Sequence, residues 1–380
     1  MDSSLILLIA ASQWIALLLT KYGIPSIPVY VILGALYANF SNTDQSSTPL
    51  LSVALLFLFF YAGINVDLDS VRRRLRDALI LTLLNVSLTV VFVSLLLVSL
   101  NTGLLASLVV GVALANTATE IAVVVLRESG IDLLAVRNLI VAASFIDDLL
   151  LVFLVALIQS TVFRAPLSVS FGVVLLNMVF LAIPFTISYV LFKPVSRMSW
   201  SEFVVFTSAL AFTLSLLPRW LGVSEYLGAY AAGLTLSVFR LRKDPTLAYS
   251  TKLSRLLEHL TTYMKFLTYP LFFVVLGTLS SITSFIEVST LLLLITAFLG
   301  KFLGFVIYTR VFSKLGVGES FLGGLVMNSR GSIESALTLT AYLNGLLDIG
   351  LFQGTIAVVV LSSIIVPFMI RMIIIERLLY

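Results

Sequence analysis

The chain is an almost uninterrupted series of apolar runs, most of them close to the length of about twenty residues that a helix needs to cross a bilayer, separated by short clusters of charge, glycine and proline. Strands of a membrane barrel would instead alternate apolar and polar residues in segments of roughly ten. The punctuation predicts an all-α polytopic membrane protein with about thirteen transmembrane helices, over residues 4–20, 26–40, 50–66, 78–99, 104–127, 137–160, 167–192, 202–217, 222–239, 266–283, 288–309, 319–343 and 352–375. No basic residue precedes the first run and Lys21 follows it, a pattern that predicts a retained helix, not a cleaved signal peptide. Between the ninth and tenth spans, Asp244 to Lys265 reads as an interfacial amphipathic helix whose basic residues lie near anionic headgroups.

Charge then orients the spans. If they alternate in direction from an outside N-terminus, nineteen of the 23 Lys and Arg residues fall in cytoplasmic connections and only Arg164 and Arg219 in external ones; Lys301 and Arg330 lie inside spans. The net charge of +4 therefore reflects orientation in the membrane and implies no nucleic-acid partner. With 60% hydrophobic and 11% charged residues the composition excludes a soluble domain, and the absence of cysteine excludes disulfide and thiol chemistry. The sole histidine, His259, falls in the basic connection and reads as a surface residue.

An internal symmetry follows from the order of the spans. The third ends Phe59-Phe60-Tyr61-Ala62-Gly63 and the tenth Phe273-Val274-Val275-Leu276-Gly277; the second carries Leu33-Gly34-Ala35 and the ninth Ala232-Gly233-Leu234. This predicts two repeats of inverted topology, spans 1–6 and 8–13, with the seventh as linker.

Candidate chemistry sits at mid-membrane depth. Asp147 and Asp148 are adjacent in the sixth span, where each carboxylate costs roughly 3 kcal/mol to insert, and an intramembrane acidic pair points to a cation or proton site. Consecutive residues of a helix project about 100° apart, so one aspartate can meet a counter-ion while the other faces an ion path. Lys301, central in the eleventh span, requires an acidic partner, as a structural counter-ion or as a group that releases its proton during transport. The fifth and twelfth spans carry polar interruptions, Asn116-Thr117-Ala118-Thr119-Glu120 and Asn328-Ser329-Arg330-Gly331-Ser332-Ile333-Glu334-Ser335, which predict unwound backbone buried within protein. Thr117 is a candidate cation ligand beside such a break, and Glu120, Arg330 and Glu334 read as charges that compensate one another or the helix ends.

Ser144-Phe145-Ile146-Asp147-Asp148, the Thr117 break within Gly111 to Thr117 with its downstream Leu126-Arg127-Glu128-Ser129-Gly130, and Lys301 together resemble the monovalent cation:proton antiporters, in the two-aspartate, electrogenic sodium/proton branch. The resemblance covers almost the whole chain and implies the crossed broken helices of the sodium/proton antiporter fold. It also implies a homodimer in which residues 1–66 and 202–283 form a dimer and gate domain, 67–160 and 284–380 a moving core, and 161–201 a linker. Asp148 is then the cation- or proton-binding residue, with Asp147, Thr117 and Ser144 around it, and Asp147 pairs with Lys301. Two departures from the family pattern stand out. Glu120 replaces a usual small residue, and Arg330-Gly331 resembles the electroneutral branch.

The expected function is exchange of Na⁺ or Li⁺ for H⁺ across a prokaryotic cytoplasmic membrane, with the C-terminus cytoplasmic, membrane lipid and a second copy of the chain as partners, no enzyme activity and no cofactor, the ions being substrates. Three other classes stay in view. A sodium-coupled organic-solute symporter shares the repeat architecture but relies on neutral cation ligands. A potassium/proton efflux system ordinarily adds a soluble regulatory domain after the last helix, whereas this sequence stops at Tyr380. An intramembrane aspartyl protease places its two aspartates on different helices.

Overall fold

The computed structural model describes residues 3–22, 24–39, 48–118, 122, 134–159, 167–220, 224–241, 247–313 and 315–379. Among them every regular element is helical. The helices are α1 Ser3–Thr20, α2 Ser26–Ala38, α3 Thr48–Ile64, α4 Leu68–Ser99, α5 Leu104–Ala115, α6 Leu134–Gln159, α7 Leu167–Arg197, α8 Trp200–Trp220, α9 Glu225–Val238, α10 Ala248–Thr278, α11 Val288–Phe312, α12 Val317–Val326, α13 Ser332–Leu343 and α14 Ile349–Leu379. Six of them contain stretches long and apolar enough to cross a membrane unaided, within α4, α6, α7, α10, α11 and α14.

The main boundary difference has a local reason, and both predicted interruptions are present. The fourth span begins earlier, at Leu68, because the arginine-rich stretch is itself helical up to a kink at Arg74 (φ −126°, ψ 24°). The twelfth is two short helices, α12 and α13, separated by residues 327–331, where Gly331 (φ −159°, ψ −128°) and its neighbours leave the helical region. The fifth is interrupted after Ala115, with Asn116 already extended (ψ 160°), where its polar run predicts unwound backbone. The predicted amphipathic segment is helical from Ala248 and runs without a stop through a π-helical turn, Met264–Thr268, into the tenth span. It buries Tyr249, Leu253 and Leu256 and leaves His259 exposed against the Trp200 ring, 5.9 Å between centroids. Lys252, on the same segment, donates to the carbonyls of Ser196 (2.9 Å) and Met198 (2.7 Å), satisfying acceptors left open at the end of α7.

The chain forms two compact units: residues 1–47, 70–151 and 273–380, and residues 48–69 and 152–272. Proximity in one conformation groups helices that touch; a moving domain is defined instead by what shifts between conformations. In the second unit α9 is buried along nearly its whole length and packs on α3, α7 and α8, small residues letting the backbones approach. A Cβ on Gly233 would stand 2.7 Å from Ile64 N, and one on Gly63 would stand 2.9 Å from Leu234 N. In the first unit the same device joins α2 to α10, where a Cβ on Gly34 would stand 2.8 Å from Gly277 Cα and the converse 2.9 Å.

These contacts carry the inverted repeat. Exchanging Gly34 for Gly233 and Gly63 for Gly277, the pairs matched in the sequence, turns one helix crossing into the other. A third crossing maps onto itself: on α11 a Cβ at Gly300 would meet Thr89 Cα of α4 at 2.7 Å, and one at Gly304 would meet Asn85 Cα at 2.9 Å, the two glycines and their partners interchanging at one sequence offset. The core of this unit is completed by apolar residues of α4, α6, α11, α12 and α14, among them Leu81, Ile140, Phe305, Leu325 and Val366.

If these glycine crossings set the helix spacing, Gly34→Ala forces α2 and α10 apart and lowers stability by about 1–3 kcal/mol. Gly172→Ala, at a position in α7 where a Cβ meets nothing within 4 Å, does not lower it and raises it by at most about 1 kcal/mol. Thermal unfolding of the detergent-solubilised variants checks both.

Candidate functional site

The site is built where two helix interruptions meet. The peptide after α5 and the peptide between α12 and α13 are stitched together: the Ala118 N–H donates to the Ser329 carbonyl at 2.9 Å. Each interruption opens in the same way, with the asparagine N–H turning back three residues, Asn116 to Ala113 (3.4 Å) and Asn328 to Leu325 (3.0 Å). Every described residue of both breaks is buried or nearly so, so the freed backbone groups have to be satisfied by protein.

Side chains of opposite charge do that. Lys301 of α11, fully buried, donates its ammonium to the Asn116 carbonyl, and the Arg330 Nε donates to the Leu114 carbonyl at 3.0 Å. Two cations therefore stand at the C-terminal end of α5, where the helix dipole is negative. At the other break Glu334 accepts the Gly331 N–H at 2.9 Å and places its carboxylate at the positive N-terminus of α13. Glu120, the remaining charge of the predicted set, lies outside the described residues.

The aspartates of α6 face this crossing and diverge as their angular offset requires. Asp147 is only 2% exposed and accepts the Thr117 hydroxyl at 3.2 Å; the Met327 carbonyl stands 3.4 Å from the same hydroxyl. Asp148 keeps a partly exposed side chain and accepts the Asn116 amide N–H at 3.1 Å. Ser144, one turn earlier on α6 and fully buried, donates to the Ile140 carbonyl of its own helix at 2.8 Å, which leaves only its lone pairs for another group. Thr82 of α4 donates to the Ala143 carbonyl of α6 at 3.1 Å, one turn before Asp147.

Asp147, Asp148, Lys301, Arg330 and Glu334 act on one another electrostatically; on Asp147 the leading charge is Lys301, followed by Glu334. Among the described residues, three carboxylates against two cations leave one uncompensated negative charge when all are ionised. In a low-dielectric interior that imbalance is expensive, and one monovalent cation or one proton removes it. Oxygen donors suited to a hard cation are present beside it: the Asp147 Oδ1 and Asn116 Oδ1 atoms are buried without a hydrogen-bond partner. Among the described residues no group of three or more His, Cys, Asp and Glu side chains is arranged to hold a resident metal ion.

The structure thus brings Asp147, Asp148, Thr117, Ser144, Lys301, Arg330 and Glu334 to one unit around one crossing. Sequence reasoning did not single out Asn116, Thr82 or the Met327 carbonyl. Thr82 was detectable as the first of the polar residues Thr82, Asn85 and Thr89, spaced three and four apart in an apolar helix. The roles of the Asn116 and Met327 carbonyls have no side-chain signature.

Comparison with known proteins is consistent with this architecture. The family model described as sodium/hydrogen exchanger, transmembrane matches residues 5–376. The chain is 26% identical over 353 residues to the Na(+)/H(+)-K(+) antiporter GerN of Bacillus cereus, covering 90% of this chain and 87% of that protein. It is 22% identical over 364 residues to a Na(+)/H(+) antiporter of Enterococcus hirae, covering 92% of each. The solved structure of the sodium proton antiporter MjNhaP1 from Methanocaldococcus jannaschii at pH 8 shares the fold, with a TM-score of 0.72 at 16% identity over 97% of this chain and 94% of that one.

Removing one member of the buried charge cluster strands the others. Lys301→Ala is expected to destabilise the protein by about 3–5 kcal/mol. Unchanged thermal stability of the purified variant would mean that Lys301 does not offset the buried carboxylates.

Proposed function

Because this chain belongs to the sodium/hydrogen exchanger family, whose named relatives are transporters and not enzymes, we propose that it is a secondary active antiporter exchanging Na⁺ or Li⁺ for H⁺ by alternating access. The observation that carries this reading is the charge imbalance at the crossing of the two breaks. A buried cluster one negative charge in excess cannot move through the membrane interior empty, so it crosses only with a metal ion or a proton aboard, and competition between the two for one place produces exchange.

In this reading Asp148, the more accessible carboxylate, binds the cation or the proton. Thr117 and Ser144 supply neutral oxygens around it, while Asp147 faces Lys301. Arg330 and Glu334 hold the two helix ends neutral and stay out of the exchange. One metal ion for one proton at this cluster is electroneutral; transport is electrogenic if arrival of the metal ion also displaces Lys301 from Asp147 and drives a proton off the ammonium, and the loaded cluster then keeps one net negative charge but no bare Asp148 carboxylate. Residues 67–160 and 284–380 form the moving core, and residues 1–66 and 202–283 the static dimer and gate domain, in a homodimer with its N-terminus outside and its C-terminus cytoplasmic. The name of the Bacillus cereus relative includes K⁺, which makes potassium exchange the second reading.

Two measurements in proteoliposomes with an imposed pH gradient test the proposal. Na⁺ should dissipate the gradient at a rate that changes when the membrane voltage is moved from zero to a finite value; a voltage-insensitive rate would replace electrogenic with electroneutral exchange, and dissipation by K⁺ alone would favour the second reading. Asp148→Asn should abolish cation-dependent flux while the protein remains folded, and near-normal turnover would remove Asp148 from the binding role.

A further inference from the structure

We infer that Asn116 is a reversible ligand of the transport site, presenting its amide N–H to the empty Asp148 carboxylate and its amide oxygen to the occupied one. The inference rests on the exchange reading above and extends it to a residue which that reading does not use. Asn116 contacts both charges of the site with different atoms: its main-chain carbonyl receives the Lys301 ammonium, and its side-chain nitrogen donates to Asp148 Oδ1 at 3.1 Å. Its side-chain oxygen, also buried, has no hydrogen-bond partner. Leaving such a buried acceptor unpaired is costly unless something meets it in another state of the site.

The chemistry fixes which amide atom belongs to which state. An ionised carboxylate only accepts, so the amide must turn its N–H₂ toward it; oxygen facing oxygen would repel. Once Asp148 holds a metal ion, the N–H₂ group points at a cation and is repelled, whereas the amide oxygen is a good ligand for it. Once Asp148 holds a proton, its O–H needs an acceptor, and the amide oxygen again is the right atom. A half-turn about the terminal side-chain torsion, which is broad and close to two-fold in asparagine, exchanges the two faces. Asn116 is extended (φ −71°, ψ 160°), outside the helix, so no helical neighbour ties its side chain down.

The equivalent residue at the other break behaves differently. Asn328 shares the buried, unpartnered amide oxygen but commits its amide N–H to the Gly324 carbonyl of the preceding helix at 2.9 Å, and among the described residues it makes no hydrogen bond to a carboxylate. Two asparagines stand at matching points of the two interruptions, and the one at the acidic pair is the one whose amide meets a carboxylate, that of Asp148.

The test separates ligation from packing. Asn116→Ser keeps a group that both donates and accepts, and Asn116→Leu keeps comparable bulk with neither ability. Cation-dependent proton flux in proteoliposomes should give Asn116→Ser a KM for Na⁺ within about threefold of the unaltered protein. Asn116→Leu should raise KM by about tenfold or more, the loss expected for a hydrogen bond or ligand at a charged group, and should slow turnover less. Stabilisation of the purified protein against heat by added Na⁺ should survive in Asn116→Ser and disappear in Asn116→Leu. An unchanged KM in Asn116→Leu, or equal losses in both variants, overturns the inference while leaving the exchange reading standing. An Asn116→Leu protein too unstable to reconstitute leaves the serine variant as the deciding case, and a tenfold rise in its KM overturns the inference equally. If the unaltered protein shows no cation-dependent flux, the exchange reading fails and this inference fails with it.

Discussion

Broken backbone and buried charge explain each other in this molecule. A helix that stops in the membrane interior leaves several carbonyls or N–H groups without partners, and water is not there to take them. Lys301 and Arg330 at the end of α5 and Glu334 at the start of α13 are placed to satisfy those groups. Once they are there, each is itself an ion in a medium that tolerates ions poorly, and only its neighbours of opposite sign hold it in place. The aspartates of α6 enter a region already polarised, which is why two adjacent carboxylates can be kept at the middle of an apolar helix.

Helix spacing makes the crossing possible. Lipid chains are as apolar as leucine, so association between membrane helices depends on close packing more than on water exclusion. Gly300 and Gly304 bring α11 against Asn85 and Thr89 of α4, and Lys301, next to the first of these glycines, is thereby carried to the α5 break. A larger residue at either glycine would move the cation away from the carbonyl it serves. Packing and electrostatics are in this way one problem, solved at consecutive positions of a single helix.

Much of this was legible from residue order. Span positions followed from apolar length, and both interruptions were legible because Asn116-Thr117 and Asn328 to Glu334 are too polar to face lipid. The matched glycines were visible as a pattern and gained meaning only as contacts, because a glycine does not name the helix it touches. The reading lost detail where the relevant atom belongs to the main chain. That the Asn116 carbonyl receives Lys301 and that the Ser329 carbonyl receives Ala118 depend on how the breaks bend. The arginine cluster in the first turns of α4 looked like a connection because its charges mask its helical geometry, which the kink at Arg74 accommodates.

The bond from Ala118 to Ser329 joins parts of the polypeptide made far apart in time. Asp147 and Asp148 leave the ribosome some hundred and fifty residues ahead of Lys301 and still further ahead of Arg330. At translation rates of about 5–20 residues per second that gap lasts roughly eight to thirty seconds. For that interval a half-made transporter holds two acids in the insertion machinery or the bilayer with neither of those cations yet synthesised. The nascent chain has to keep them protonated, hydrated or sheltered by the translocon until its second half arrives to close the centre.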